Sequence, residues 1–122
     1  MSIVSWNCRG LGNLWTVWEL RQLLKEKKPN IVFLMKTKLR SNKMERVRVQ
    51  LGFKHMFVVD SVGKSGGLAL FWTMDAGVEI QNYSRRHINA KVCSSPAKPP
   101  WKFTGFYGHS DTSKRPEAWS LL

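Results

Sequence analysis

The sequence has too few cysteines for a domain that is held together by disulfides. Cys8 and Cys93 are the only two in 122 residues, and they lie far apart. Two thiols cannot make a disulfide framework, and their spacing does not fit a structural zinc site. We therefore expect two reduced thiols in an intracellular protein.

Long apolar runs are also missing. No stretch approaches the roughly 20 apolar residues of a membrane-spanning helix. The short apolar start, residues 1–6, is interrupted by Asn7 and Arg9, and it lacks the basic lead of a signal peptide. We expect no membrane partner and no secretion, and residues 2–6 are expected to form a strand.

Acidic residues are scarce. Eight Asp and Glu oppose twenty Lys and Arg, which gives a net charge of +12. Residues 1–54 hold twelve of the basic groups and three of the acidic ones. A positive field of this size attracts polyanions, and neutralised phosphates release counterions, so nucleic acid is the natural partner. A soluble basic surface without a specific ligand is the alternative.

The apolar content, 43% of residues, is sufficient for the core of a single domain over residues 1–122. Apolar periodicity predicts a helix over 14–27, with Asn13 as its cap, and a second helix over 43–51 between Asn42 as cap and Gly52. The unbroken apolar run 31–35 predicts a strand that is buried on both faces. Strand, helix and strand in succession predict a parallel crossover.

The second half of the chain alternates between short strand-like segments and turns. Five such segments are HMFVVDS (55–61), GLALFW (67–72), VEIQNYS (78–84), INAKVCS (88–94) and WKFTGFY (101–107). GKSGG is expected to close a hairpin between the first two, and a helix is expected to start near Ser113. The predicted class is α/β: a mixed β-sheet with flanking helices, in which this chain supplies one of two layers.

Four segments occur in the order and spacing of a known family. They are SWNCRGLG (5–12), PNIVFLMKTK (29–38), SGGLALFW (65–72) and FTGFYGHSDTSKRPEAW (103–119). Together they resemble the N-terminal half of the apurinic-like endonuclease domain of plant-type non-LTR retrotransposons, within the endonuclease/exonuclease/phosphatase superfamily. The resemblance implies one layer of that superfamily's two-layer sandwich, magnesium-dependent hydrolysis of DNA phosphodiesters and a nuclear location.

The resemblance assigns roles to two residues at strand ends. Asn7 in the SWN motif is implied to lie in the metal and phosphate site, where its carboxamide orients a ligand or binds the ion. In isolation it also reads as a turn-forming residue before a Gly-rich loop. Tyr107 in GFYG is implied to donate its hydroxyl near the scissile phosphate. Its alternative is an aromatic core residue with the hydroxyl at the rim.

Four further residues are candidates for contacts with phosphate. The guanidinium of Arg9 suits bidentate phosphate binding, and it stands where the superfamily's repair enzymes often carry an acidic residue. His109 follows the last strand-like segment, and Lys114 and Arg115 follow it in the chain. For all four, a solvated surface residue is the alternative.

Lys36 departs from the family pattern. The family's second strand ends in a motif whose Glu binds the metal, and Lys36 occupies that position in MKTK. An ammonium ~4 Å from a divalent ion would be repelled by roughly 8 kcal/mol at an effective dielectric constant near 20. A Lys here can instead replace the ion as a fixed cation that binds phosphate. We therefore predict impaired catalysis.

Length is the second departure, since the family domain is about twice as long and its later catalytic motifs do not occur here. A missing C-terminal half, or a partner, is expected to cover an exposed sheet face. Three hypotheses follow: a weak or inactive endonuclease fragment, a non-catalytic basic nucleic-acid-binding remnant, and an unstable product of a decayed element. A superfamily phosphatase that acts on small molecules is a further alternative.

Overall fold

Seven strands and two helices make up the described part of the chain, which in this computed structural model comprises residues 2–8, 10–12, 14–62, 66–93 and 97–107. They are β1 (Ile3–Asn7), α1 (Leu14–Lys27), β2 (Ile31–Met35), α2 (Ser41–Leu51), β3 (His55–Val59), β4 (Leu68–Trp72), β5 (Gly77–Tyr83), β6 (His87–Cys93) and β7 (Trp101–Phe106). The predicted elements therefore occur in the predicted order, with shifts of a few residues at their ends. Asn13 and the residues from Ser113 onward lie outside the described residues.

The first sheet has the order β1-β2-β4-β3. Strands β1 and β2 run parallel, with Asn7 opposite Met35, and α1 makes the predicted crossover between them. Strand β4 pairs antiparallel with both β2 and β3, so the sheet is mixed. All five residues of β2 are buried, as its unbroken apolar run predicts.

Both helices cover one face of this sheet. The core between them contains the inward side chains of α1 and α2 and the alternate residues of β2 and β4: Val17, Leu20, Leu24, Val32, Leu34, Met44, Val47, Ala69 and Phe71. The apolar periodicity that predicts both helices corresponds to these buried positions. Neither helix has the length and apolar character of a membrane span.

Helix α2 begins at Ser41, two residues before the predicted start, and Asn42 is not its cap. Arg40 holds the cap position and makes no side-chain cap hydrogen bond. The Ser41 N–H instead donates to Asp60 Oδ1 at 2.8 Å. A carboxylate from beyond β3 thus satisfies a free N–H at the helix start, which a local sequence pattern cannot reveal. Gly52 ends the helix at φ 82°, as predicted.

A second sheet, β5-β6-β7, covers the opposite face of the first. Alternation along β6 directs Ile88, Ala90 and Val92 into the core between the sheets. There they join Ile31, Phe33 and other residues of the first sheet. The α/β class, the mixed sheet and the flanking helices are confirmed. The structure adds a three-stranded part of a second layer, whereas the sequence predicted one layer. Strands that alternate in polarity bury one face, and β6 buries that face against the first sheet.

Close approach of the two sheets makes Gly105 intolerant of a side chain. A Cβ at Gly105 would lie 2.6 Å from the Phe33 ring. Gly105→Ala is expected to lower the free energy of unfolding by about 2 kcal/mol, since overpacking a core costs that order of energy. Gly12→Ala is the control, because nothing lies within 4 Å of that position. Urea denaturation of both variants measures the effect, and equal stabilities would contradict the packing described here.

Candidate functional site at the strand ends

Three of the residues singled out by the sequence meet at one end of the two sheets. Asn7 ends β1 and lies beside Met35 in the parallel pair. Lys36 follows Met35, and its Nζ lies 5.8 Å from the centroid of the Tyr107 ring. Tyr107 directly follows β7. The ends of β1, β2 and β7 therefore lie at the same end of the two sheets, with the Lys36 ammonium over the Tyr107 ring. Asn7 belongs to the strand, whereas the sequence placed it just beyond.

The backbone around Lys36 is fixed from both sides. The Met35 carbonyl accepts a hydrogen bond from the Cys8 N–H at 3.0 Å, and the Lys36 carbonyl accepts one from the Gly10 N–H at 2.7 Å. On the other side the Thr37 N–H donates to the Gly67 carbonyl at 3.1 Å. Lys36 itself has φ 54°, in the left-handed region. The ammonium therefore projects from a rigid base rather than from a free loop.

Tyr107 lies at the rim of the core, beside Lys36. Its ring packs against the core between the two sheets. Its N–H donates to the Arg86 carbonyl at 2.6 Å. The ring also lies within the distance at which a Lys ammonium is attracted to an aromatic face, ~6 Å. An aromatic anchor beneath Lys36 favours a defined position for that cation over free motion in solvent.

Cys8 adjoins the site but remains a neutral thiol. Burial raises the pKa of Cys8 to about 11. Its Sγ donates to the Met35 carbonyl at 3.0 Å. Both cysteines are free, as predicted, with Cys8 buried and Cys93 exposed. Because metal binding requires the thiolate, Cys8 is unsuited to be a ligand.

The donor set of this site does not fit magnesium. Magnesium favours carboxylate oxygens, usually one or two with water and phosphate completing the shell. At the three strand ends Asn7 offers one amide oxygen, and Lys36 stands where the resemblance implies a carboxylate. Nowhere in the described residues do three His, Cys, Asp or Glu side chains come together as a metal-binding group. The described chain therefore presents a cationic site here.

The charge at this end continues along the segment after β2. Beyond Lys36, four exposed basic residues follow without an ion pair among the described residues: Lys38, Arg40, Lys43 and Arg46. We call these five residues the basic strip. The acidic residue of the segment, Glu45, is paired with Arg48. This pairing lowers the pKa of Glu45 through the Arg48 hydrogen bond, and it leaves the strip's own charges uncompensated.

The structure also places two arginines here that the sequence did not single out. Arg85 and Arg86 form the turn between β5 and β6, and the Arg86 carbonyl holds the N–H of Tyr107. The antiparallel order of β6 and β7 brings this turn to the end of β7. The sequence feature that could have identified them is the pair of consecutive arginines between two strand-like segments. The other phosphate candidates, Arg9, His109, Lys114 and Arg115, lie outside the described residues.

Known proteins resemble this chain in structure. Neither a protein-family model nor a curated protein matches the sequence. Among solved structures, the AP endonuclease LMAP from Leishmania major is similar, with a TM-score of 0.62 and 15% identity over 86% of this chain. An AP endonuclease from Archaeoglobus fulgidus has a TM-score of 0.57 and 24% identity over 77% of this chain.

The catalytic domain of APE2 from Xenopus laevis is similar over 98% of this chain, with a TM-score of 0.56 and 15% identity. The matches cover 39%, 38% and 49% of those three chains, so this sequence spans less than half of their length. The implied resemblance is thus confirmed at the level of architecture. The chain therefore shares its fold with the matching parts of these three structures.

Proposed function

We propose that this chain derives from a magnesium-dependent DNA endonuclease of the retrotransposon type, and that it binds the DNA backbone at the strand ends while its cleavage activity is impaired. The observation that carries the proposal is the position of Lys36. Its ammonium lies over the Tyr107 ring, and Lys36 follows the residue that pairs with Asn7, at the position where the resemblance implies an acidic metal ligand. The nuclear location that accompanies such an origin belongs to the same proposal.

An ammonium at this position suits a phosphate better than it suits a metal ion. It offers three N–H donors and a full positive charge, and a phosphate oxygen accepts both. The basic strip and the Arg85–Arg86 turn extend the same field along the surface. A partner with regularly spaced negative charges fits this arrangement, and the DNA backbone carries such charges.

Hydrolysis makes demands that these groups do not meet. The attacking water must lose a proton to a nearby group, and neither the Lys36 ammonium nor the Asn7 carboxamide accepts one. Without the implied carboxylate, the described site also lacks a strong ligand for the ion that would supply the nucleophile. Binding without efficient turnover is the function that this set of side chains supports best.

The first test of this proposal measures DNA affinity. Lys36→Ala is expected to weaken binding to a short duplex about fivefold at low salt and to reduce the salt dependence by about one released counterion. Lys102→Ala is the matched control, since Lys102 is exposed on β7 in the second sheet, away from the strip. Fluorescence anisotropy at several salt concentrations gives both quantities. Equal losses in the two variants would show that Lys36 has no special role.

The second test asks about cleavage. The chain is expected to leave supercoiled plasmid intact in magnesium and in chelator alike. Nicking that requires magnesium and disappears in Asn7→Ala would show that the site is an active nuclease, and the proposed impairment would be wrong. A silent chain that still binds DNA supports the proposal.

A further inference from the structure

The outer surface formed by α1 and α2 carries a second set of features that the strand-end site does not use. Trp15 and Trp18, on consecutive turns of α1, are 66% and 51% exposed. Their rings form a T-shaped pair with centroids 5.3 Å apart. By contrast, Trp6, Trp72 and Trp101 pack partly against the two cores. Two neighbouring exposed indoles on a helix therefore need an explanation beyond the core.

Basic clefts lie between the same two helices. One cleft of about 320 Å³ is lined by Lys43 and Arg46 over a floor that includes Leu11 and Val17. A second cleft, of about 310 Å³, is lined by Arg21, Lys25 and Lys28 together with apolar and neutral residues. The linings share Gln50, so the two clefts adjoin, and they contain five basic and no acidic residues among the described ones.

One indole adjoins a cleft residue on the surface of α1. Trp18 lies three residues before Arg21, which lines the second cleft, and side chains three residues apart are neighbours on a helix. Trp15 lies three residues before Trp18, so the paired indoles and Arg21 form one row along the helix.

We propose that this surface binds single-stranded nucleic acid, with unpaired bases stacked on Trp15 and Trp18 and phosphates bound by the cleft residues. The charge of the clefts selects a polyanion, and exposed indole faces select a partner with flat rings. Aromatic side chains beside a basic groove are the usual means of binding unpaired strands without sequence preference. The inference rests on the proposed nucleic-acid binding and adds a substrate class and a location to it.

The test compares two oligomers that carry the same phosphates. One is an oligothymidylate of about twelve nucleotides, and the other is an abasic sugar-phosphate chain of equal length. The native chain is expected to bind the oligothymidylate about tenfold more tightly, with quenching of tryptophan fluorescence. The double variant Trp15→Ala/Trp18→Ala is expected to lose that preference and to keep its affinity for the abasic chain.

Met74→Ala is the control, because it removes an apolar side chain that is 75% exposed in the turn after β4. It is expected to bind both oligomers as the native chain does. Equal affinity of the native chain for the two oligomers would overturn the stacking proposal and leave phosphate binding intact. Binding to neither oligomer would overturn this proposal, whereas the proposed function is decided separately by the duplex measurement with Lys36→Ala. A dimer that sedimentation detects and the double variant abolishes would identify the surface as a contact between copies, which would also overturn it.

Discussion

Gly67→Ala is expected to lower the free energy of unfolding by about 3 kcal/mol, because two costs act at the same atom. Gly67 has φ 96°, which L-residues rarely adopt. An added Cβ would also lie 2.3 Å from Thr37 Oγ1 and 3.0 Å from the Lys38 nitrogen. Thr37 is fully buried, so its side chain has little room to move away. Thermal and urea denaturation measure the loss.

Gly52→Ala separates the two costs. Gly52 has φ 82° and nothing within 4 Å of its added Cβ, so it is expected to show the backbone cost alone, about 1–2 kcal/mol. Adding Thr37→Ala to Gly67→Ala is expected to recover part of the loss in a double-mutant cycle. If the two glycine variants are equally destabilised, contact with Thr37 is not what restricts this position. The residues that an added Cβ at Gly67 would displace, Thr37 and Lys38, directly follow Lys36. The Gly67 variant is therefore also expected to weaken DNA binding.

Much of the first sheet follows from the sequence because its signals are local. The unbroken apolar run of β2 predicts burial on both faces, and its place after a helix predicts the parallel pair with β1. Gly52 ends α2 for a similarly local reason, since a left-handed residue closes the helix. The predicted start of α2 was wrong by two residues because the group that satisfies its first N–H, Asp60, is nineteen residues from Ser41.

The second layer depended on contacts that a strand pattern does not specify. Alternation along β6 shows that one face is buried, but not what buries it. The contact between Phe33 and Phe103, with ring centroids 5.7 Å apart, is decided only when the sheets pack. The sequence likewise could not place the arginines of the β5–β6 turn at the site. Their place depends on the register of β6 against β7.

The candidate site was predictable in part because its residues end strands. The predicted parallel pair of β1 and β2 places Asn7 and Lys36 at the same edge of the sheet. Tyr107 was predicted to lie at the end of β7. The contact between Lys36 and Tyr107 joins the two layers, so the sequence alone could not establish it. The structure brings these three residues together, and their roles in binding or catalysis stay predictions. The sequence did not single out the exposed pair on α1, because apolar periodicity identifies the inward face of a helix and assigns no role to a Trp outside it.

Lys36→Glu is expected to reverse the effect of magnesium on DNA binding. In the native chain the ion competes with protein cations for phosphate, so added magnesium should weaken binding. In the variant a carboxylate replaces the ammonium at the end of β2 and repels phosphate, so affinity in chelator should fall about tenfold relative to the native chain. Magnesium should then restore binding, because the ion can bridge the new carboxylate and a DNA phosphate.

Lys38→Glu distinguishes a created metal site from a simple change of charge. Lys38 and Lys36 have nearly the same backbone conformation, with φ 57° and 54°, and both belong to the basic strip. Only Lys36 lies over Tyr107 in the described structure. The Lys38 variant is therefore expected to lose affinity in chelator without gaining any from magnesium. Recovery by magnesium in both variants would assign the effect to general screening, whereas recovery in the Lys36 variant alone would locate the ancestral ligand position at the end of β2.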